Sequence, residues 1–278
     1  QARQQFVKKL ETAAEVNALS SDIAGRLNKA GDMNALEMLQ EQTSAQQTVL
    51  EVQRGKAELR SGREKVSRLL GLTSAEAGRL TLSAGLPPLP ASDPSQAKAE
   101  ALAMTQRQDL VAQRETVSAF EHALSLQGKT KLLPGLTLGA NTERELDGTH
   151  VTGPTLDVEL PIFNWGQAKT RKATAELAQA RAKLEALQAE VASDVRMALA
   201  ELRAAREMHS HVANTLLPQR QKILAETLLH YNAMQVSNFV LLRAKEDVVK
   251  AEHDAIDASR AYWVARAQLE KAVGGGAR

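Results

Sequence analysis

The sequence predicts a mainly α fold of long, antiparallel coiled-coil helices with a single β-hairpin, and three observations support this. Aromatic residues make up only 3% of the 278 residues, so alanine, leucine and valine carry the apolar content, which favours closely packed helices over a bulky globular core. Apolar residues recur at heptad spacing through most of residues 167–273. Only residues 134–166 alternate polar and apolar side chains as a two-stranded hairpin does.

Charge and cysteine content narrow the classes of partner and chemistry. The 35 basic and 33 acidic residues are spread along the chain and give a net charge of +2, so we predict no nucleic-acid partner. The absence of cysteine excludes disulfides, thiolate metal sites and a cysteine nucleophile. No run of about 18 apolar residues occurs, so no transmembrane helix is predicted. Residues 1–5 lack a charged and then apolar leader, so we expect any signal peptide to lie upstream or to have been removed.

Two helices are predicted in residues 1–71, with a tip between them near 28–34. An Ala-Gly pair inside this tip is a helix stop, because glycine readily adopts the left-handed conformation that ends a helix. Either Asp32 or Asn34 can cap the following helix by accepting hydrogen bonds from its first backbone amides.

A connector separates these helices from the hairpin. Residues 72–97 contain four of the eight prolines, which cannot continue a helix, and we expect this segment to be extended and laid over a surface. A helix over residues 98–133 then leads to the hairpin.

The hairpin at 134–166 has one apolar and one polar face. Its strands flank an Asp147-Gly148 turn, and each offers about 9–11 residues, the length at which a tilted strand crosses a bilayer. The backbone edges would have to be paired inside a membrane, so this interpretation requires a closed barrel built with other hairpins or other chains. The lipid-facing positions would be Leu136, Leu138, Ala140, Leu156, Val158 and Leu160. The lumen-facing positions would be Asn141, Glu143, Asp157 and Glu159.

Residues 167–275 predict a second helical hairpin, with its tip near 231–237. Its first helix is interrupted by Pro218, which lacks a backbone amide. In its last helix, alanine fills every second position of the heptad seam, so a partner helix can approach closely. This alanine column is Ala244, Ala251, Ala258, Ala265 and Ala272.

An internal repeat relates the two helical hairpins at an offset of 203 residues. Residues 28–39 align with residues 231–242, and residues 69–71 align with residues 272–274. Few residues are identical, but the order of break, cap, long helix and terminal glycine recurs. Residues 1–71 would then form a partial first repeat, and we expect the part that precedes them to carry a first hairpin.

The six histidines and six methionines do not predict a metal site or a catalytic centre. His209 and His211 are two residues apart, so on a helix they point about 200° apart and cannot hold one ion together. The methionines are scattered and are interpreted as packing residues. The sequence also lacks a nucleophile elbow, a Walker loop and a dinucleotide-binding glycine fingerprint. We therefore predict no catalytic residues, no metal and no cofactor.

Three motifs occur in a fixed order around the hairpin. The segment Gln106-Arg107-Gln108-Asp109-Leu110 opens a helix, Leu-Pro-Gly-Leu-Thr-Leu at 133–138 opens the hairpin, and Leu-Pro-Ile-Phe-Asn-Trp-Gly at 160–166 closes it. In a duplicated chain, this ordered set resembles the TolC-like outer-membrane efflux proteins, and the resemblance covers nearly the whole sequence. The first-repeat part, residues 30–72, looks most like members associated with heavy-metal pumps.

The resemblance implies a homotrimer whose hairpins form a membrane β-barrel and whose helices form a periplasmic α-barrel tunnel. The tunnel would export substrates passively, with its helical tips meeting a periplasmic adaptor (membrane fusion) protein that is coupled to an inner-membrane efflux pump. The connector would lie in an equatorial belt around the tunnel. The tip residues implied for docking are Ala30, Gly31, Asp32, Asn34, Ala233, Met234, Val236 and Ser237.

The candidate gate departs from the family pattern. Family members often close the tunnel with acidic residues just after the tip of the last helix, but the matching positions here carry Val240 and Arg243, and the first repeat carries Glu37 and Gln40. Glu37 paired with Arg243 of a neighbouring element would substitute for a carboxylate gate. The rival interpretation of the whole chain is a soluble periplasmic coiled-coil scaffold or adaptor without channel activity, whose hairpin is a water-exposed lid.

Overall fold

The computed structural model describes residues 1–81, 85–129, 136–145, 148, 150–158 and 166–275, without the side chains of Lys129, Leu136 and Val158. Glu159 and Leu160, predicted to face the lumen and the lipid, lie outside the described residues, as do most of the two Leu-Pro motifs that bound the hairpin. The chain divides into two compact units, Gln1–Asp93 with Ala198–Gln268 and Pro94–Met197 with Leu269–Arg278.

Helices dominate both units. In the described part of the chain, the elements in order are α1 (Ala2–Ala30), α2 (Ala35–Leu69), α3 (Ser74–Arg79), α4 (Gln96–Gln106), α5 (Gln108–Lys129), β1 (Leu136–Arg144), β2 (His150–Val158), α6 (Gln167–His211), a π turn (Val212–Leu216), α7 (Leu217–Asn232) and α8 (Asn238–Val273). The predicted fold class, mainly α with one β-hairpin, is confirmed. No described helix combines the length and apolarity that a membrane span requires.

The core of the first unit depends on close helix approach. Leu10, Leu202 and Tyr262 are at most 2% exposed and come from three different helices. The alanine column of α8 is buried at four of its five positions, as its heptad spacing predicts. Gly55 of α2 serves the same purpose, because a Cβ atom there would lie 3.1 Å from a methyl group of Val7 on α1.

The core of the second unit joins α5 to α6. Val117, Leu177 and Ala180 form a buried cluster, and Phe120 and Leu124 pack against it. Across the same contact, the side-chain amide of Gln113 donates a hydrogen bond to the carbonyl of Ala180 at 3.0 Å. The two helices are therefore held by an apolar seam and a polar bond along one face.

The predicted helix over 98–133 is interrupted at Arg107, so it is two helices, α4 and α5. Arg107 has an extended backbone (φ −66°, ψ 119°), and its guanidinium donates to Asp109 at 2.6 Å and to Asp194 of α6 at 2.9 Å. These charge-assisted hydrogen bonds stabilise the break, because they hold the side chain of Arg107 between Asp109 and α6. The motif Gln106-Arg107-Gln108-Asp109-Leu110, which predicts the opening of a helix, marks this turn, because α5 begins at Gln108.

The connector, which was predicted to be extended, also contains a short helix, α3, before its prolines. Thr73 and Glu76 form a capping box at the start of α3, in which the amide and the hydroxyl of Thr73 both donate to the Glu76 carboxylate at 2.9 and 2.7 Å. The hydroxyl of Thr73 lowers the pKa of Glu76, because it stabilises the ionised carboxylate. Residues 85–95 form no helix or strand, which agrees with their prolines.

The predicted interruption at Pro218 takes the form of a π turn. Pro218 has no amide to donate to the carbonyl four residues earlier, so the helix widens just before it, and the amide of Leu217 donates to the carbonyl of Val212 instead. The helix then continues as α7 with Pro218 in its first turn.

The hairpin is a two-stranded antiparallel sheet of nine residues per strand. Gly148 turns between the strands with φ 89°. Leu138 pairs with Leu156, and Thr137 pairs with Asp157, so the two faces alternate along both strands.

Candidate functional site

The first tip, residues 31–34, begins with a left-handed glycine. Gly31 has φ 86°, and its amide donates to the carbonyl of Asn28 at 3.1 Å. The next amide, of Asp32, donates to Leu27 at 2.9 Å. Together these bonds form a Schellman motif, which satisfies the last carbonyls of α1 and reverses the chain.

Asn34 caps the helix that follows the first tip. Its side-chain oxygen accepts a hydrogen bond from the amide of Glu37 at 2.8 Å, which decides between the two cap candidates in favour of Asn34. The tip is further held by Asn28, whose side-chain amide donates to the carbonyl of Met33 at 2.9 Å.

The second tip, residues 233–237, has the same backbone with a different residue at its centre. Met234 has φ 58°, its amide donates to Tyr231 at 2.9 Å, and the amide of Gln235 donates to His230 at 2.9 Å. Met234 is the one residue other than glycine with a positive φ among the described residues, and it is 94% exposed. A left-handed conformation is unfavourable for any residue with a Cβ atom, so methionine is an unusual choice here.

The two tips occupy the positions that the 203-residue offset relates. Gly31 corresponds to Met234, and at the other end of each following helix Gly71 (φ 66°) corresponds to Gly274 (φ 95°). All four are followed by the same pair of Schellman-type hydrogen bonds. The equivalence in backbone geometry is closer than the sequence identity suggests.

The predicted tip residues lie at these two turns, and all of them except Val236 are exposed. An apolar surface that the sequence analysis missed lies beside them. Its exposed members, each between 44% and 66% accessible, are Leu36, Leu39, Phe239 and Val240. Leu36 and Leu39 lie near the start of α2, and Phe239 lies at the start of α8. With neighbouring residues of these two helices they line a groove of about 310 Å³.

The candidate gate residues are not joined within the chain. Glu37 and Gln40 are half-buried, whereas Val240 and Arg243 are exposed. Among the described residues, Glu37 and Arg243 form no ion pair. A pairing of Glu37 with Arg243 of another protomer stays a prediction.

A different polar contact joins α2 to α8, the helices that follow the two tips. The side-chain amide of Asn238, at the start of α8, donates to Glu41 Oε1 of α2 at 2.8 Å. Both residues are buried, at 7% and 5% exposure. Sequence analysis missed this pair because its members are 197 residues apart and Glu41 reads as part of a solvated helix face.

A second missed cluster fastens the connector to the helices. We call residues 85–93 the strap. Arg206 of α6 binds Asp93 with two parallel hydrogen bonds, Nε to Oδ2 at 2.6 Å and Nη2 to Oδ1 at 2.7 Å. The hydroxyl of Tyr262 on α8 donates to the same Asp93 oxygen at 2.8 Å. Arg206 lowers the pKa of Asp93, and the hydrogen bond from Tyr262 lowers it further.

The backbone of the strap is held as well. Arg206 Nη2 donates to the carbonyl of Pro90 at 2.9 Å, and Trp263 Nε1 donates to the carbonyl of Pro87 at 3.1 Å. The guanidinium also lies 5.1 Å from the ring centre of Tyr262, within cation–π range. Arg206 and Tyr262 therefore tie the strap, α6 and α8 to one another.

The hairpin register places the predicted face residues consistently. Leu138, Ala140 and Leu156 share one face, with the backbone positions of Leu136 and Val158 in the same set. Asn141, Glu143 and Asp157 share the other. Leu138 and Leu156 are opposite each other and are 75% and 60% exposed.

A family model matches well over half of the chain. Residues 100–275 match the family described as outer membrane efflux protein. No curated protein matches the sequence.

Solved structures share the fold at low sequence identity. A membrane protein from Pseudomonas aeruginosa is 20% identical, with a TM-score of 0.82 over 99% of this chain and 63% of its own. The CmeC outer membrane channel of Campylobacter jejuni is 17% identical, with a TM-score of 0.78 over 99% of this chain and 60% of its own. The outer membrane protein VceC of Vibrio cholerae is 16% identical, with a TM-score of 0.76 over 100% of this chain and 67% of its own. The chain thus spans less than two thirds of the length of the first two structures.

Proposed function

Because the chain belongs to the outer membrane efflux protein family, we propose that it contributes to the outer-membrane duct of a tripartite efflux system. Its partners are further copies of itself in a homotrimer, a periplasmic adaptor protein at the helical tips and, through the adaptor, an inner-membrane pump. The hairpin meets outer-membrane lipid, and the helices extend into the periplasm. The pump drives transport, so the duct itself is not an enzyme and selects little among substrates that fit a wide aqueous passage.

The observation that carries the proposal is the register of the hairpin. Each strand has nine residues, which matches the length that a tilted strand needs to cross a bilayer. Leu138 and Leu156 lie opposite each other on an exposed apolar face, and Asp157 lies on the other face. In water such a face costs free energy, whereas in a barrel it meets lipid and the acids line a wet lumen.

The second tip supports adaptor docking. The backbone at Met234 favours glycine, and glycine is present at the corresponding position of the first tip. Met234 is 94% exposed, so it offers a flexible apolar side chain to a partner. The adjoining apolar groove extends this surface.

Besides the predicted pairing of Glu37 with Arg243, the buried hydrogen bond between Asn238 and Glu41 is a candidate for holding the duct closed. This bond joins α8 to α2 next to the tips, so the tips cannot separate without exposing or stranding the Glu41 carboxylate. We expect Asn238→Ala to raise the closed-state leak conductance of the protein in planar bilayers. Arg243→Glu is the comparison variant, and an unchanged leak in Asn238→Ala together with a raised leak in Arg243→Glu would favour the original gate prediction.

The duct is tested by substitutions on the two faces of the hairpin. We expect the full-length protein to form cation-preferring pores in planar bilayers, because Glu143 and Asp157 line the lumen. Asp157→Lys should preserve pore formation and shift the reversal potential toward anions. Leu156→Lys, one residue away on the opposite face, should prevent insertion, since a lysine at the lipid face costs about 2–4 kcal/mol near the bilayer midplane.

The outcome also decides the rival interpretation. If the wild-type protein forms no pores and both lysine variants stay soluble and folded, the hairpin is a water-exposed lid and the chain is a soluble scaffold. If Asp157→Lys blocks insertion and Leu156→Lys does not, the two faces are assigned the wrong way round.

A further inference from the structure

One face of the hairpin changes from apolar to basic toward the turn. We call the face that carries Leu138 and Leu156 the leucine face, and every second pair of the strand register belongs to it. From the leucine pair toward the turn, the next pairs on this face are Ala140 with Pro154, Thr142 with Thr152, and Arg144 with His150. The leucine face therefore ends on two basic side chains that lie opposite each other.

Assembly of a barrel leaves this face uncovered. Antiparallel strands pair edge to edge through backbone hydrogen bonds, so other hairpins join at the free edges of β1 and β2 and not over either face. The leucine face is the lipid side of the proposed barrel. Its residues therefore meet lipid in the trimer as well, whichever copies supply the neighbouring strands.

The basic pair lies at the outer end of the strands. The ends remote from the turn lead to α5 and α6, which extend into the periplasm in the proposed duct. Arg144 is six positions beyond Leu138, about 20 Å along the strand and about 15 Å along the membrane normal at a tilt of about 40°. Half of the hydrocarbon core is about 15 Å thick, so a leucine pair near the midplane places Arg144 among the outer headgroups.

The pair just below the basic residues fits the same depth. The hydroxyl groups of Thr142 and Thr152 are hydrogen-bonded to each other at 3.2 Å. Each hydroxyl thus has a partner without water, which suits the edge of the hydrocarbon. An arginine is strongly unfavourable at the bilayer midplane but costs little near the interface. The order of leucine, threonine and arginine along this face therefore follows the polarity of one leaflet.

The basic pair lacks an acidic partner from its own chain. Within the described residues, Arg144 and His150 take part in no ion pair, and the adjacent Glu145 bonds to neither of them. The hairpin acids Glu143 and Asp157 belong to the opposite face. Side chains that lie opposite each other on neighbouring strands have Cβ atoms about 5 Å apart, which is close enough for both to reach one anion.

We infer that Arg144 and His150 bind the phosphate of an anionic lipid headgroup in the outer leaflet. A guanidinium binds phosphate oxygens through two parallel hydrogen bonds, and the imidazole supplies a further donor beside it. The inference rests on the proposed function, because it requires the hairpin to be part of a membrane barrel. The site fixes the depth at which the rim of the duct lies in the membrane.

Lipid binding by the full-length protein in detergent gives the first test. The probe is lipid A, a phosphorylated glycolipid, and phosphatidylcholine, which has no net charge, is the comparison lipid. Native mass spectrometry over a titration measures the affinity for each. We expect Arg144→Gln to weaken lipid A binding about fivefold and to leave phosphatidylcholine binding unchanged. The double variant with His150→Asn should bind lipid A no better than phosphatidylcholine.

Two control variants test the position of the site. Arg171→Gln removes the same charge from an exposed position on α6, and Glu143→Gln changes a charge on the opposite face of β1. Both should leave lipid A binding unchanged. An equal loss of lipid A binding in Arg171→Gln and Arg144→Gln would overturn the site, because it would show attraction to the overall charge of the protein.

A competition measurement identifies the source of the phosphate. Inorganic phosphate at the concentration of the lipid phosphate should not displace lipid A, because the acyl chains also hold the lipid against the leucine face. Displacement of lipid A by an equal concentration of inorganic phosphate would overturn the lipid assignment.

Pore formation in planar bilayers separates this inference from the proposed function. Pores in a protein whose lipid A binding is equal in wild type and Arg144→Gln would overturn the lipid site and leave the duct in place. Lipid A binding that depends on Arg144 in a protein that forms no pores would support the phosphate site and refute the duct.

Discussion

At the scale of single residues, the two tips show the same backbone carrying different side chains. Gly31 and Met234 occupy equivalent left-handed positions, at φ 86° and 58°. Glycine satisfies that backbone at no steric cost, whereas methionine does not. The turn itself therefore favours glycine, and we attribute the methionine at the second tip to the proposed docking surface rather than to the turn.

Met234→Gly should therefore stabilise the protein while weakening its proposed docking. We expect a gain of about 1 kcal/mol in the free energy of unfolding, because the left-handed strain is relieved. Gly31→Ala should lose about 1 kcal/mol for the converse reason. Urea denaturation measures both changes, and a loss of stability in Met234→Gly would mean that the methionine side chain packs within the protein.

The strap gives a pH-dependent prediction. Arg206 holds the pKa of Asp93 below its ordinary value, so this contact stabilises the fold above the unfolded pKa of about 4 and is lost as pH falls through the lower folded pKa. Asp93→Asn should cost about 2 kcal/mol at neutral pH. The difference between wild type and variant should shrink as the unfolding free energy is measured below about pH 4. A difference independent of pH between 7 and 3 would show that the carboxylate charge is not what holds the strap.

Residue-scale features were predictable where the signal is local. The glycine stop of α1 depends on neighbours within a few positions and is confirmed, and of the two predicted cap candidates, Asp32 and Asn34, the structure has Asn34. The Arg206–Asp93 contact joins residues 113 positions apart. No periodicity in one segment can indicate such a partner, because it is chosen by the packing of three separate elements.

At the scale of elements, helical periodicity predicted which faces of the long helices are buried, but it did not predict where helices break or where a short helix forms. The alanine column of α8 is buried because its spacing follows the helix seam. The periodicity over residues 98–133 does not show the break at Arg107, because residues on either side are good helix formers, and only the motif at 106–110 marks it; the ion pairs with Asp109 and Asp194 override local propensity. The capping box of α3 could have been found from Thr73 and Glu76, three positions apart.

The end of α8 differs from the end of α2 in what surrounds it. A Cβ atom at Gly274 would lie 3.0 Å from the backbone of Arg107, whereas a Cβ atom at the equivalent Gly71 would meet nothing within 4 Å. Gly274→Ala should therefore cost about 2–4 kcal/mol, from left-handed strain and overpacking together. Gly71→Ala should cost about 1 kcal/mol, from strain alone. Equal losses in urea denaturation would mean that the Arg107 turn yields to the added methyl group.

At the scale of the whole molecule, α1 presents an apolar stripe to solvent. Val16, Leu19, Ile23 and Leu27 recur at helical spacing and are between 36% and 62% exposed. The equivalent positions of α7, 203 residues later, carry Gln219, Lys222, Glu226 and His230. The two repeats therefore differ in this face, and unlike faces on one protomer are what a closed ring of head-to-tail copies uses.

If the proposed homotrimer uses this stripe, we expect Ile23→Lys to reduce the trimer fraction, because it places a charge in the middle of the stripe. Ala18→Lys, on the opposite face of the same helix and also exposed, is the matched control and should leave the trimer intact. Light scattering coupled to size-exclusion chromatography measures the mass of each. A loss of the trimer only in Ala18→Lys would show that α1 faces its neighbour the other way, and unchanged trimers in both variants would mean that the α1 stripe lies outside the subunit interface.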